Sequence, residues 1–388
     1  MTETVLRDAE IVLADEIVHG SVLIRDGVIA DIAPGRGGVG EDLEGDYLLP
    51  GLVELHTDHL ESHITPRPGT NWDPIPAVLA HDAQLAGAGV TTVLDAVRIG
   101  TMTGSADASL LAHAMTEAIA HVAAADIARA EHLIHLRCEV SAPGCAEEFE
   151  RYGDVPGVRL ASLMDHTPGQ RQYADIEAFR RYMVGKGRIG ADRFEAHVAQ
   201  LQVIAEEHSL RNRRAVAGLA TERGIPLAAH DDATLEHVEE STALGVRISE
   251  FPTTRLAAAA ARERGQLVVM GAPNIVRGGS QSGNVAAAEL LAAGLLDILS
   301  SDYVPASPLQ AVFRVVAQGL IDLPSAVAFV STNPAHAVGL DDRGRVAPGL
   351  RADLVRVRSY DGAPAGQHPA GVPVPLVRGV WRAGRRVA

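Results

Sequence analysis

Leu49-Pro50-Gly51-Leu52-Val53-Glu54-Leu55-His56-Thr57-Asp58 is an apolar, β-prone run that ends abruptly in a histidine and an aspartate. Pro50-Gly51 marks a turn into the run. In an extended strand, residues i and i+2 point to the same side. His56 and Asp58 therefore leave the strand end together, and together they can hold one divalent metal. A strand that delivers such a pair at its C-terminal end is where a (β/α)8 barrel places its chemistry. Three residues are a weak signal and alone favour a strand that simply ends in polar groups, so the rest of the chain has to decide.

Downstream, apolar β-prone runs alternate with Ala-rich helical stretches, the pattern of a parallel sheet. Eight runs qualify as strands: 52–56, 90–96, 132–140, 158–165, 225–230, 246–251, 267–272 and 297–301. Helical stretches such as 77–88, 106–130 and 192–223 lie between them. Eight β/α units point to an α/β protein with a closed (β/α)8 TIM barrel; a doubly wound open sheet is the alternative. The two ends of the chain read differently. Residues 22–32 form two strands around Asp26-Gly27, a hairpin signal. Residues 352–357 and 375–381 are again strand-like. A small β domain built from both termini, 1–48 and 342–388, beside a barrel over 49–341 accounts for this distribution.

At 388 residues the chain accommodates one barrel of roughly 250 residues plus an appendage. No apolar run approaches the roughly 20 residues of a membrane span. Met1-Thr2-Glu3-Thr4 lacks the basic start of a signal peptide. Cys138 and Cys145, the two cysteines, do not make a disulfide framework. A cytoplasmic protein is expected. The net charge of −15 argues against nucleic acid and membrane surfaces as partners, since both call for a basic face. A local group of Arg and Lys could still receive a small anionic substrate. A homo-oligomer is compatible with this composition.

Barrel chemistry comes from several strand ends. The candidate strands end, in order, near His56 and Asp58; Asp95 and Arg98; Arg137 and Glu139; Asp165 and His166; His230, Asp231 and Asp232; Glu250; Asn274 and Arg277; and Ser301 and Asp302. Nearly every one offers a metal-ligand or phosphate-binding residue type, a regularity that random surface placement would not give. His56, Asp58, Glu139, His166, His230 and Asp302 are the candidate ligands of one or two divalent ions. Zn, Mn and Fe all suit such mixed His/carboxylate sets. Metal ions lower the pKa of bound water to roughly 7, which suits hydrolysis. Asp302, after the last strand, can take the proton as general base. By contrast, His113, His121 and His208 fall in helical stretches and read as ordinary surface or core residues.

The run from Pro50 to Asp58 resembles the first barrel strand of the amidohydrolase superfamily, with Asp58 where a second histidine is usual. Gly349-Leu350-Arg351-Ala352-Asp353-Leu354-Val355 resembles its G-x-x-A-D-L-V signature in the terminal β domain. Longer segments resemble the branch of that superfamily that acts on a ribosyl triphosphate in phosphonate breakdown. Among them are His56–His63 with Pro66-Arg67-Pro68-Gly69, His135-Leu136-Arg137-Cys138-Glu139, and 164–173. Others are Ala229-His230-Asp231-Asp232-Ala233-Thr234, 271–280 and 301–307. His59 stands where an asparagine is expected in that branch. The resemblance implies a barrel hydrolase that cleaves a ribose 5-triphosphate to the 5-phosphate and pyrophosphate. A triphosphate calls for fixed cations, and Arg suits bidentate phosphate contacts. Arg67, Arg98, Arg171, Lys186 and Arg277 fall in polar loops, and Gly278-Gly279-Ser280 could offer backbone N–H groups, with the Ser280 hydroxyl, to phosphate. Two other readings compete. One is a different hydrolase of the superfamily, a deacetylase, cyclic amidase or deaminase. The other is a non-catalytic scaffold on the same fold, which would predict eroded strand-end ligands.

Overall fold

The computed structural model describes residues 3–35, 37–100, 106–173, 175–185, 187, 189–280, 282–362, 369 and 371–388. Eight parallel strands hydrogen-bond in chain order, from Leu52–Thr57 to Ile298–Ser300. A parallel bridge between Thr57 and Asp302 joins the two ends of that order. The molecule is thus a (β/α)8 TIM barrel with a separate sheet from the chain termini. By internal contacts it divides into two compact units, Met1–Asp95 with His121–Leu133 and Met270–Ala388, and Ala96–Ala120 with Ile134–Val269.

The first unit carries the terminal sheet. Strands Glu3–Val12, Ile17–Arg25, Val28–Pro34 and Tyr47–Pro50 come from the N-terminal side, and Leu354–Tyr360 and Val374–Arg382 from the C-terminal side. Asp26 and Gly27 both take positive φ (49° and 83°), the backbone of a tight hairpin turn whose twist matches its strands. Leu354–Tyr360 pairs antiparallel with Tyr47–Pro50, which is how the two ends of the chain come to share one sheet. Its alternating inward residues, among them Leu6, Ile11, Val22, Ile24, Leu48 and Trp381, make a closed core. In the same unit, all six residues of the first barrel strand are buried, as a strand covered on both faces requires. Glu54 sits within it and binds the last strand: Oε1 accepts from the His56 N–H at 2.7 Å and Oε2 from the Ser301 N–H at 2.6 Å. Burial pushes Glu54 up to about 7, with those hydrogen bonds opposing the rise.

In the second unit the strands Val158–Met164, Leu227–His230 and Ile248–Glu250 pair in parallel, with His230 in register with Glu250. One of the expected strands ends early for a backbone reason. Phe251 turns into the left-handed region (φ 55°), so that strand stops at Glu250 and not at 251. Asp231, also left-handed at φ 61°, ends its strand at the expected His230. In the first unit the last strand ends at Ser300, ahead of Asp302 at φ 54°. The second strand instead runs on to Ile99, which leaves Asp95 in mid-strand.

Candidate metal centre at the strand ends

His56 is the fifth residue of the first barrel strand, and the chain leaves the sheet at Asp58. Backbone hydrogen bonds fix this exit against the last strand: Asp302 N–H donates to the His56 carbonyl at 3.1 Å, and Asp58 N–H to the Asp302 carbonyl at 3.0 Å. His56 Nε2 lies 3.5 Å from Asp58 Oδ1. One ligand atom each from His56, Asp58 and Asp302 falls within 4.8 Å of the others. The left-handed turn at Asp302 is uncommon for a residue with a side chain, and such conformations concentrate at functional sites.

The second unit holds a matching group. Glu139 closes the third strand and is fully buried. It accepts from Arg98 at 2.8 Å, from the Ser141 hydroxyl at 2.8 Å, and from the His166 backbone N–H at 2.9 Å. Its Oε2 also lies 2.6 Å from His166 Nδ1. Burial raises the Glu139 pKa, but His166 and Arg98 outweigh it and hold the carboxyl well below the usual range. His230 Nδ1 lies 2.7 Å from Glu250 Oε2 in the same manner. Each carboxylate takes the Nδ1–H of its histidine and leaves the ring lone pair on Nε2. Both Nε2 atoms then stand near Asp231 Oδ2, at 3.4 Å from His230 and 3.9 Å from His166. That oxygen is buried and accepts no hydrogen bond.

This arrangement fits a divalent cation. A buried carboxylate oxygen without a donor costs roughly 1–3 kcal/mol or more. Two imidazole lone pairs beside it add no proton to relieve that cost. A metal ion satisfies all three atoms, and histidines that bind metal commonly donate their other N–H to a carboxylate, as both do here.

A model of the amidohydrolase family matches residues 76–388. The chain belongs to the amidohydrolase family. It is 45% identical over 387 residues to the alpha-D-ribose 1-methylphosphonate 5-triphosphate diphosphatase of Escherichia coli (strain K12), covering 99% of this chain and 100% of that protein. It is 26% identical to an adenine deaminase of Nitratidesulfovibrio vulgaris (strain DP4), where it spans 58% of the deaminase. Among solved structures, the N-isopropylammelide isopropylaminohydrolase of Burkholderia multivorans ATCC 17616 superposes with a TM-score of 0.66 at 19% identity, covering 100% and 98% of the two chains. That likeness concerns the fold. Amidohydrolases generally use divalent metals, which agrees with the donor set at these strand ends.

The amidohydrolase loops place the expected phosphate-binding cations in different settings. Arg67 and Arg277 are exposed. Arg277 ends the short helix Ala272–Arg277, whose Asn274 anchors the loop beyond it. The Asn274 carbonyl accepts from Gly278 and Gly279, and its side-chain oxygen accepts from the Ala287 N–H at 3.0 Å. Ser280 Oγ accepts from the Ser282 N–H. Arg98 is committed to Glu139. Arg171 is buried, paired with Asp232 and, at 3.0 Å, with Glu240. It lines a cavity of about 370 Å3 with Arg213, a buried cation that sequence reasoning missed. Lys186 lies outside the described residues.

Asp95, expected at a strand end, is instead a buried mid-strand carboxylate. His81 Nε2 lies 2.9 Å from one oxygen and His132 Nδ1 2.7 Å from the other. Burial raises Asp95, but His132 and His81 outweigh it and hold the carboxyl down to about 2. Burial lowers His132, but Asp95 and Asp82 outweigh it and push the imidazole up to about 9. Asp82 accepts in turn from the Arg129 and Ala130 N–H groups. Nothing in the sequence spacing pairs these residues. His132 and Asp82 are 50 positions apart.

Proposed function

We propose that this amidohydrolase hydrolyses alpha-D-ribose 1-methylphosphonate 5-triphosphate to the 5-phosphate and pyrophosphate, with His56, Asp58, Glu139, His166, His230 and Asp302 as ligands of one or two divalent ions. The observation that carries the substrate is the near full-length match, at 45% identity, to the Escherichia coli diphosphatase. The metal reading is supported by the two ligand groups and by the buried Asp231 oxygen that accepts no hydrogen bond. That oxygen makes Asp231 a further candidate ligand. When bound, the metal supplies Lewis acidity and an activated water.

The chain's own residues do the rest. Asp302 accepts the proton of the attacking water, as a general base at the end of the last strand. Glu139 and Glu250 hold the rings of His166 and His230. Arg67 and Arg277, both exposed, neutralise the charge that develops on the departing pyrophosphate. Arg171, already paired with two carboxylates, holds its own loop. Attack at the phosphorus nearest the ribose leaves the solvent oxygen in the sugar phosphate; hydrolysis in 18O-water reads this directly. The free, buried thiols Cys138 and Cys145 suit a reducing, cytoplasmic setting.

Two variants test the metal centre. His56→Ala and His230→Ala should each lose bound metal and pyrophosphate release together. Metal content unchanged in both variants would place the centre elsewhere.

A further inference from the structure

The third barrel strand, Glu131–Glu139, lies between two others in the sheet, so the alternation of its side chains decides what each one faces. Cys138 lies beside the Cys145 thiol, at the start of the helix Cys145–Tyr152. In a β/α barrel the helices cover the outside. Cys138 is therefore on the outer face, and Arg137 and Glu139 share the inner one. Parallel register carries this inner face across the second unit. Glu139 stands opposite Met164, and His230 opposite Glu250. Two residues earlier on each strand, Arg137, Ser162, Ala228 and Ile248 form the row beneath them.

Within that row Ser162, Ala228 and Ile248 are buried, while Arg137 is only half-buried. Ser162 and Ala228 are small and leave the arginine room to rise beside them. Its Nε donates to Met164 Sδ at 3.2 Å, which brings the guanidinium up to the level of Glu139. Neutralising Glu139 is not its task, because Arg98, Ser141 and His166 already meet that carboxylate. A partly exposed guanidinium on the inner face, at the strand ends where barrel chemistry sits, is placed for an anion that enters from solvent. Its planar fork of N–H groups matches two oxygens of one phosphoryl group.

We propose that Arg137 contacts the substrate and holds the non-bridging oxygens of the phosphoryl group under attack. The contact rests on the diphosphatase function proposed for these strand ends. It divides the cationic work: Arg137 serves the reacting group, and Arg67 and Arg277 serve the departing pyrophosphate.

The test compares wild type, Arg137→Met and Arg137→Lys as full-length, metal-loaded proteins. Arg137→Met should keep its metal content and lose roughly 10²–10³-fold in kcat/KM for pyrophosphate release. Its affinity for ribose 5-phosphate, measured by titration calorimetry, should fall by about tenfold or more. Arg137→Lys should recover part of both losses, since it keeps the charge and loses the fork. In wild type, phenylglyoxal modification of Arg137, read by peptide mass spectrometry, should be blocked by ribose 5-phosphate. That measurement decides the matter if Arg137→Met fails to fold. Wild-type kcat/KM and ribose 5-phosphate affinity in Arg137→Met, or modification of Arg137 that ribose 5-phosphate does not block, overturns the contact and leaves the diphosphatase function standing. A folded Arg137→Met that loses metal in step with activity assigns Arg137 to the metal centre and overturns the substrate contact. No pyrophosphate from the ribosyl triphosphate with wild type overturns the diphosphatase function itself, and this contact with it.

Discussion

Two buried assemblies of histidine and carboxylate in this chain differ in how completely they satisfy themselves. Around Asp95, each carboxylate oxygen meets an imidazole, and Asp82 is ringed by backbone N–H groups and His132. Around Asp231, two imidazoles are held by Glu139 and Glu250, yet one Asp231 oxygen accepts nothing. The residue types are the same. A satisfied buried network holds a fold together, whereas a buried acceptor left without a donor is open to an ion or a water. The contrast lies in the carboxylate oxygens, which composition does not distinguish, and not in the rings, since His81 Nδ1 beside Asp95 is also buried without a hydrogen-bond partner.

The largest effect expected from this contrast is on turnover. Asp302→Asn keeps the shape of the strand end and removes its basicity, so kcat should fall by roughly 10²–10⁴. A variant with wild-type kcat would remove Asp302 from the proton transfer.

On the satisfied side, Asp95→Asn should unfold at markedly lower denaturant. Removing one partner of a buried pair costs about 3–5 kcal/mol, and here the charged His132 keeps only the Asp82 carboxylate, at 3.3 Å. Denaturant melts at pH 7 measure this. A loss well under 1 kcal/mol would mean that the network contributes less than its geometry suggests.

Glu54 lies between these extremes, a buried carboxyl held by the His56 and Ser301 backbone N–H groups. Its folded pKa is raised from 4.5 to about 7. Its contribution to stability is therefore full below about 4.5 and is lost as the pH rises through 7. Glu54→Gln does not titrate. In chelator-treated protein, the stability of wild type over this variant should thus be greater at pH 5 than at pH 8, by on the order of 2–3 kcal/mol. A difference that stays constant or grows with pH would contradict the assignment.

The smallest effect is expected where the assembly is unsatisfied. In metal-free protein, Asp231→Asn should cost no stability, since it removes a buried charge whose oxygen makes no hydrogen bond. Metal retention in the same variant should drop. If metal-free stability falls as far as in Asp95→Asn, the two assemblies are not different in kind.

Much of this was legible in the sequence because strand ends are local. His56, Glu139, His166, His230 and Asp302 each follow an apolar run directly, and the Asp26-Gly27 turn announced its hairpin. The misread parts depend on pairings between distant segments. Asp95 looked like a strand terminus because nothing nearby in sequence shows His132 or His81 closing around it. Arg171 looked like a loop cation, but Asp232 and Glu240 meet it from 61 and 69 positions away. The sixth strand was overestimated where Phe251 adopts left-handed backbone, a choice that tertiary packing makes and residue type only permits.

The central claim is that the strand ends form a metal-dependent centre that cleaves a ribosyl triphosphate between its phosphates. The most direct measurement is 31P NMR of alpha-D-ribose 1-methylphosphonate 5-triphosphate incubated with metal-loaded and with chelator-stripped enzyme. The loaded enzyme should yield the 5-phosphate and pyrophosphate in equal amounts, and the stripped enzyme should leave the substrate intact until metal is restored. Release of inorganic phosphate in place of pyrophosphate, or equal turnover with and without metal, would contradict the account.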